Sequence, residues 1–197
     1  MPDRPHVCVF CGSSRGVRPA YAEAARRVGA ALARNGLGLV YGGGRIGLMG
    51  VVADAALAAG GRVVGVIPDP LATRELAHDG LTELHVVPTM HDRKALMASR
   101  SAGFLALPGG VGTFEEFFEI LTWAALGLHG KPIGLLNVEG YFDPLLALLD
   151  HAVAERFVRP EHLSLLLVSD QPDTLPIDLL GHTPPSPGPK WIDLEQI

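Results

Sequence analysis

Residues 105–116 read LALPGGVGTFEE, and this stretch predicts both the fold class and the place of the functional site. An apolar run typical of a buried strand ends at Pro108, passes through glycines and enters a segment with helical spacing. A glycine-rich helix start leaves several backbone N–H groups unpaired, and the helix dipole adds positive potential there. This combination is typical of a phosphate-binding site. Glu115 and Glu116 follow within one turn, so we expect an anion site beside two carboxylates.

The alternation of apolar runs and helical spacing extends along the chain in both directions. Apolar runs without polar alternation, separated by helices, are what a parallel sheet covered on both faces requires. The fold class is therefore α/β, a doubly wound, mainly parallel sheet with helices on both faces, and its ligands should bind at the carboxyl ends of the strands. The predicted strands are residues 7–10, 38–41, 62–67, 84–87, 104–107, 131–137 and 163–168, and the predicted helices are residues 19–35, 48–59, 90–100, the segment from the quoted stretch to about 126, and 141–156.

Size and composition predict one domain over residues 1–181 with a proline-rich C-terminal tail over residues 182–197. The formal charge of −5 argues against a nucleic-acid polymer as partner, because such proteins carry a basic face. We expect no membrane association, since no apolar run reaches the roughly 18 residues of a spanning helix. The N-terminal residues lack the order of a signal peptide, so we predict a cytoplasmic protein.

The two cysteines, Cys8 and Cys11, form a C-x-x-C pattern inside a strand-like run. Side chains three positions apart on a strand face opposite sides, so the pair is expected to form neither a disulfide nor a metal clip. Two buried free thiols in a reducing compartment are the prediction.

Residues 42–47, GGGRIG, match the G-x-G-x-x-G pattern between a strand and a helix. The pattern suggests a dinucleotide-binding enzyme, and a dinucleotide-dependent oxidoreductase is therefore one alternative function. Two features weaken it: the motif follows the second predicted strand, and Asp69, the candidate ribose-binding acid, lies beyond Pro68. The same glycines also suit a tight turn that lines another kind of nucleotide site.

Two pairs of residues have a structural as well as a functional interpretation. Thr113 and Glu116 match a capping box, in which Glu116 would only stabilise the helix start. The bare glycine backbone before them favours function, because a helix start needs it only where something approaches closely. Arg93 and Lys94 are either a solvated basic pair or a clamp for an anion, and the sequence alone leaves both open.

The residues that cofactor chemistry would need are scarce, so we predict no cofactor and no metal. The three lysines are Lys94, Lys131 and Lys190, and only Lys94 is placed where it could form a Schiff base with pyridoxal phosphate. The eight histidines show no metal-binding spacing.

Several motifs together resemble the LONELY GUY (LOG) family, cytokinin-activating phosphoribohydrolases that were often labelled possible lysine decarboxylases. The likeness covers about residues 7–168, and its central motif is specific when an Arg-Lys pair precedes it. The motifs are FCGSS at 10–14, YGGG at 41–44, GLMG at 47–50, MHDRK at 90–94, PGGVGT at 108–113 with Glu116, and LLN at 135–137. One departure stands before the central strand, where Ser101-Ala102-Gly103 replaces the usual Ser-Asp-Ala and puts local packing in doubt.

The resemblance implies a Rossmann-like fold, a homodimer, and hydrolysis of N6-substituted adenosine 5′-monophosphates, or AMP, to free base and ribose 5-phosphate. It assigns catalysis to Arg93 and Glu116. We expect Arg93 either to clamp an anion or to hold Glu116 by a forked hydrogen bond. A non-catalytic nucleotide-binding or sensor module is the alternative from another class. The substrate-binding residues that the resemblance implies are Glu75, Lys94, Gly110, Val111, Gly112, Thr113, Phe114, Glu115 and Thr122, with Gly43 and Ser13 lining the same pocket.

Overall fold

Strands and helices alternate along almost the whole chain. The computed structural model describes residues 5–72 and 77–185. The strands are β1 (His6–Phe10), β2 (Gly38–Tyr41), β3 (Val63–Pro68), β4 (Glu83–Val87), β5 (Gly103–Ala106), β6 (Ile133–Leu136) and β7 (Leu166–Ser169). The helices are α1 (Pro19–Arg34), α2 (Gly47–Ala58), the single turn α3 (Asp69–Leu71), α4 (Met90–Ser99), α5 (Val111–Ala125), α6 (Asp143–Ala154), α7 (Pro160–Leu163) and α8 (Leu175–Gly181), with a 3₁₀ turn at Val138–Gly140.

The seven strands form one sheet in the order β4-β3-β2-β1-β5-β6-β7, and every neighbouring pair is parallel. The predicted α/β sheet is confirmed, and it is wholly rather than mainly parallel. In the centre, Val9 of β1 pairs with Leu105 of β5, while Val7 pairs with Leu39 of β2 on the other side. The chain order reverses between β1 and β5, so the sheet has its topological switch point there.

The sheet is covered by helices on both faces, each with its own apolar core. Helices α1, α2 and α8 pack on one face, and α4, α5 and α6 pack on the other. Successive residues of β1 alternate between the two cores, with Val9 in the first and Cys8 in the second. Cys11 lies in the first core, so the two buried thiols face opposite sides as predicted. Burial raises the pKa of both thiols.

Burial along the strands explains why their sequences read as continuous apolar runs. Every residue of β1, β2, β3, β5 and β6 is buried, whereas the edge strands β4 and β7 are only partly buried. A strand covered on both faces has no solvated side on which to place polar residues. On the edge strand β4 the half-buried side chains of Glu83 and His85 pair with each other at 3.0 Å.

The predicted elements are present with shifts of a few residues at their ends, and three short helices were not predicted. These are α3, α7 and α8, of which α8 packs against β5 and β6. Helix α8 ends at Gly181, where the predicted domain ends, and the predicted tail lies outside the described residues from 186 onward. Within the described ranges, every helix is too short or too polar to span a bilayer.

The switch point brings two loops into contact at the carboxyl edge of the sheet. The chain leaves β1 toward α1 on one face and leaves β5 toward α5 on the other, so a crevice opens between them. The Gly12 N–H donates to the Pro108 carbonyl oxygen at 3.1 Å, and the Leu107 N–H donates to that of Phe10 at 2.9 Å. The two loops are therefore held side by side where a ligand is expected.

Candidate active site

The start of α5 presents unpaired backbone donors to solvent. Gly110 is its N-cap and has no side-chain acceptor for the first turn, while Val111 is 82% exposed. The first pairing in this turn runs from the Phe114 N–H to the Gly110 carbonyl oxygen at 3.1 Å. In the described part of the chain, the N–H groups of Val111, Gly112 and Thr113 have no acceptor. These unpaired amides lie at the positive end of a 15-residue helix, which is the backbone geometry that an anion site needs.

Helix α4 begins with a cap that places Arg93 in its first turn. The N-cap Thr89 accepts a hydrogen bond from the Asp92 N–H at 3.1 Å and donates its hydroxyl to the Asp92 carboxylate at 2.7 Å. Such a cap typically stabilises a helix by about 1 kcal/mol. The Arg93 Nε then donates to the Val66 carbonyl oxygen at 3.2 Å, which ties the side chain to the end of β3.

A glycine at the end of β2 lets the guanidinium reach this position. A Cβ at Gly42 would lie 2.2 Å from Arg93 Nη2, so no other residue fits there without moving Arg93. The first glycine of the GGG run is therefore explained by the space that Arg93 needs, and not by binding of a dinucleotide.

Arg93 and Glu116 form a buried ion pair. The Arg93 Nη1 lies 2.8 Å from Glu116 Oε1, and the two side chains are only 11% and 8% exposed. The forked hydrogen bond that the sequence suggested is not formed, because the Arg93 Nε is engaged by Val66 and a single nitrogen meets the carboxylate. The contact is not aligned as a hydrogen bond, so Oε1 is left without a directed donor among the described residues.

Burial and neighbouring charges act in opposite directions on Glu116. Desolvation raises the pKa of its carboxyl group and outweighs the lowering by Arg93, while Glu115 adds a smaller raising effect. Burial is therefore the largest influence on the pKa of this carboxyl group. A buried carboxyl group with a raised pKa and a charged partner is typical of sites of acid–base or electrostatic catalysis.

A second charge cluster lies on the neighbouring face of α5. The Lys94 ammonium group contacts the carboxylates of Glu115 and Glu119, the latter at 2.9 Å, and its side chain is 10% exposed. Burial lowers the pKa of Lys94, but the two carboxylates raise it further, so the net shift is upward. The interpretation of Arg93 and Lys94 as a solvated basic pair is wrong, because both are largely buried and paired.

A cavity of about 270 Å³ opens beside the start of α5, at the switch point of the sheet. Ser13 lines it, as predicted for a residue after β1. The rest of its wall comes from residues 12–16, residues 108–110, Tyr21, Leu48 and Tyr141.

The remaining predicted site residues lie in four different places. Gly110 to Glu115 all lie in the first turns of α5, where Thr113 is buried and Phe114 packs on the second core. Gly43 is buried against Ile67 and Leu84 and does not line the cavity described above. Glu75 lies outside the described residues.

Thr122 lies apart from the α5 start. It is exposed, donates its hydroxyl to the Phe118 carbonyl oxygen at 2.6 Å, and stands about 9 Å along the helix axis from Glu116. Successive helix residues turn by about 100°, so Thr122 and Glu116 point in different directions. Thr122 is therefore not brought to the same cavity within one chain.

The capping-box interpretation of Thr113 and Glu116 is wrong. The helix begins three residues earlier than that interpretation requires, at Val111, so Thr113 lies inside the first turn and Glu116 in the second. Its side chain cannot reach back to a cap and instead meets Arg93 across the interface between α4 and α5.

Sequence reasoning missed Gly42 and Tyr141 as site residues. Gly42 accommodates the guanidinium, and Tyr141 donates its hydroxyl to the Gly109 carbonyl oxygen beside the cavity. A usable signal existed for Tyr141, because it follows β6 at the carboxyl edge, where the loops of such sheets meet. No signal in the sequence shows that Gly42 faces Arg93.

Three chemical capacities lie near the start of α5, although the side chains of Arg93 and Glu116 do not line the cavity. The α5 amides can bind a phosphate, the cavity can hold the rest of a small molecule, and Glu116 can stabilise a developing positive charge or accept a proton. Within the described ranges, no three His, Cys, Asp or Glu side chains gather as a metal site.

The chain is similar in sequence to one family of known proteins. The model of the family described as "Possible lysine decarboxylase" matches residues 49–179. The cytokinin riboside 5′-monophosphate phosphoribohydrolase of Rhodococcoides fascians is 55% identical over 168 residues, which are 85% of this chain and 85% of that protein. The Arabidopsis thaliana enzyme of the same name, LOG1, is 51% identical over 154 residues, covering 78% of this chain and 72% of its own length.

Solved structures support the fold. A molybdenum cofactor binding protein from Rippkaea orientalis superimposes with a TM-score of 0.70 at 22% identity, covering 92% of this chain and 98% of that one. At this identity the similarity shows a shared Rossmann-type fold and nothing about the ligand.

We predict that the Glu116 carboxyl group titrates above 4.5, the ordinary pKa of a glutamate, because burial outweighs its ion pair. The folded protein then holds this proton more tightly than the unfolded chain does. The contribution of Glu116 to the free energy of unfolding is therefore greatest below pH 4.5, and it is lost as the pH rises through the pKa of the folded state. A ¹³C NMR titration of labelled glutamate carboxyls measures it, with the Glu116→Gln variant identifying the signal. A midpoint at or below 4.5 would contradict the prediction.

Proposed function

The chain belongs to the LOG family of cytokinin riboside 5′-monophosphate phosphoribohydrolases, and we propose that it hydrolyses the N-glycosidic bond of adenosine 5′-monophosphates. The substrates are N6-substituted nucleotides and AMP, and the products are the free base and ribose 5-phosphate. One observation carries the proposal: a buried carboxylate, Glu116, is held at 2.8 Å from Arg93 one turn beyond a row of unpaired amides.

The α5 amides suit the 5′-phosphate of such a substrate. A dianionic phosphate gains from both the unpaired N–H groups of residues 111–113 and the helix dipole. Binding the phosphate there fixes the ribose relative to the helix, so that binding energy positions the reacting carbon. The chain's net charge of −5 does not oppose this, because the attraction is local to the helix start.

Glu116 suits the chemistry of the bond that breaks. As the bond between C1′ and the base lengthens, positive charge develops on C1′ and the ring oxygen. A carboxylate beside the sugar stabilises that charge, and it can take a proton from the attacking water. Water then supplies the hydroxyl on C1′, and the proton balance is closed when the departing base is protonated.

Arg93 suits the role of holding Glu116 ionised and oriented. Its guanidinium is anchored to Val66 through Nε and faces the carboxylate through Nη1, so it cannot swing away. Its charge lowers the pKa of Glu116 against the effect of burial. A lysine has one nitrogen and could not make both contacts in this geometry.

Two other functions are less well supported by the same residues. A non-catalytic nucleotide-binding module would use the amides but gives no reason to bury a paired carboxylate next to them. A dinucleotide-dependent oxidoreductase would use the GGGRIG turn, but that turn follows β2 rather than β1, and its Gly42 is needed for Arg93.

The lysines do not suit a pyridoxal phosphate decarboxylase, the chemistry that the family description suggests. A Schiff-base lysine must lose its proton readily, whereas Lys94 is paired with two carboxylates that raise its pKa. Lys131 has a lowered pKa, but its ammonium group donates to the Ala98 carbonyl oxygen at 2.7 Å, and it precedes β6 at the opposite edge of the sheet.

We also propose that the protein is a cytoplasmic homodimer. Thr122 is exposed on a face that its own Glu116 does not share, and the apolar side chains of Leu126 and Leu128 are exposed near it. If Thr122 contacts substrate, it contacts that of a second subunit. Two buried free thiols fit a reducing compartment. Light scattering should give twice the mass of the chain, and a Leu128→Glu variant should shift it toward the monomer. A monomeric wild-type protein would contradict the dimer.

We predict that Glu116→Gln folds normally but hydrolyses AMP at least about a hundredfold more slowly, because the amide keeps the shape and loses the charge. Chromatography of free adenine, and of isopentenyladenine from its nucleotide, measures the rate. Glu155→Gln, an exposed carboxylate at the end of α6, is the matched control and should behave as wild type. Near-wild-type turnover by Glu116→Gln would refute the assignment.

We predict that Gly112→Ala weakens substrate binding while leaving the fold as stable or more stable. Its φ is not in the left-handed region and an added Cβ would meet open space, so the protein itself does not require glycine there. Alanine favours a helix by roughly 0.5–1 kcal/mol, so the melting temperature should hold or rise. The methyl group would occupy the space beside the free amides and raise KM by roughly tenfold, equivalent to about 1.4 kcal/mol.

The control for Gly112→Ala is Gly130→Ala, where a Cβ also meets open space but in the loop before β6. It should alter neither KM nor kcat. An unchanged KM in Gly112→Ala would place the phosphate elsewhere.

A further inference from the structure

Tyr141 contacts the glycine loop at the start of α5 from the other side of the cavity. Its hydroxyl donates to the Gly109 carbonyl oxygen, and its side chain is half-buried at the end of the 3₁₀ turn after β6. We propose that Tyr141 is a positioning residue, which holds the peptide between Gly109 and Gly110 so that the Gly110 N–H stays available to the substrate's phosphate. The inference rests on the proposed function and adds a residue to its phosphate site.

The position of Tyr141 is set by a small hydrogen-bonded turn. The Asn137 side chain accepts from the Phe142 N–H at 2.7 Å and donates to the Asp143 carboxylate at 2.7 Å. The Asn137 N–H donates to the Ser169 carbonyl oxygen at 2.8 Å, which anchors the turn to the end of β7.

The ring of Tyr141 is held by two aromatic neighbours. It meets Tyr21 edge-on at 5.6 Å between ring centroids and Phe142 edge-on at 5.1 Å. The hydroxyl is therefore presented to Gly109 by a rigid support rather than by a mobile loop.

The peptide between Gly109 and Gly110, whose carbonyl oxygen Tyr141 binds, joins two glycines and could otherwise flip. In a planar trans peptide the C=O of Gly109 and the N–H of Gly110 point in opposite directions. Because Tyr141 binds the carbonyl, the N–H is directed away from it, and it has no acceptor among the described residues. A flip would exchange the two groups and present a carbonyl oxygen, which repels a phosphate.

The flanking residues set the cost of that flip. Rotation of this peptide would bring the φ of Gly110 from −98° to a positive value, which glycine tolerates and other residues do not. An added Cβ at Gly110 meets open space, so alanine fits there in the present orientation. Tyr141 and a side chain at residue 110 are thus two independent ways of preventing the same flip.

The test is a double-mutant cycle scored by calorimetry with ribose 5-phosphate, the product that carries the phosphate. Tyr141→Phe keeps the ring and removes the hydroxyl, and it should weaken binding about tenfold, the order of one lost hydrogen-bond donor. In the Gly110→Ala background the same change should cost less than about threefold, because alanine already disfavours the flip. With AMP, Tyr141→Phe should raise KM about tenfold and change kcat little.

Tyr41→Phe is the matched control, since the Tyr41 hydroxyl is buried without a hydrogen-bond partner in the described part of the chain. It should bind ribose 5-phosphate as wild type does. An equal loss in both backgrounds, or no loss on Tyr141→Phe, would overturn the proposal.

A second measurement needs no variant and guards against a misfolded one. In the wild-type protein, the Gly110 amide proton should shift downfield when ribose 5-phosphate is added, as observed by ¹⁵N–¹H NMR. An unmoved Gly110 signal at saturation, or a wild-type protein that does not bind ribose 5-phosphate, would overturn the role of Tyr141. Binding of ribose 5-phosphate without cleavage of AMP would contradict the hydrolysis alone, because the cycle is scored on affinity.

Discussion

The buried ion pair between Arg93 and Glu116 is the contact on which the site depends. Removing two charges from water costs several kcal/mol for each ion, and mutual attraction repays this only when the geometry is well supported. Here the support comes from Val66, which binds the guanidinium, and from Gly42, which leaves room for it. Stability alone does not explain such a pair, since apolar residues of similar size often serve as well. A chemical use does explain it.

The parallel sheet explains why this pair lies one turn from the proposed phosphate site. Strands β1 and β5 are neighbours, yet the helices that follow them lie on opposite faces, so their loops diverge and leave a crevice. The start of α5 forms one wall of that crevice, and the ion pair lies one turn further along the same helix. The unpaired amides and a carboxyl group whose pKa is raised therefore lie within the first two turns of one helix. In the proposed reaction, the amides hold the phosphate end of the nucleotide and Glu116 acts on its ribose.

Much of the fold was predictable because fully buried strands leave a simple pattern. The runs at β1, β2, β3, β5 and β6 show no alternation of apolar and polar residues. This pattern is typical of a parallel sheet that is covered by helices on both faces. The short helices α7 and α8 were not predicted, because a segment of four or seven residues is too short to display a helical repeat of apolar residues. The helix start at Val111 was misplaced for a similar reason: Thr113 is a good N-cap residue, and only the packing of α5 shows that the helix begins before it.

The sequence by itself determined the α/β class, and it predicted an anion site at the glycine-rich start of α5 and a catalytic pair of Arg93 and Glu116. These follow from composition, from local backbone chemistry and from motifs that resemble one family, all of which are read along the chain. The tertiary structure decided which side chains meet: Gly42 with Arg93, Tyr141 with Gly109, and Lys94 with Glu119. It also decided that burial, more than the charge of Arg93, sets the direction in which the pKa of Glu116 is shifted. Contacts between residues far apart in the chain, and the loss of water around them, exist only once the strands have been ordered and the helices packed.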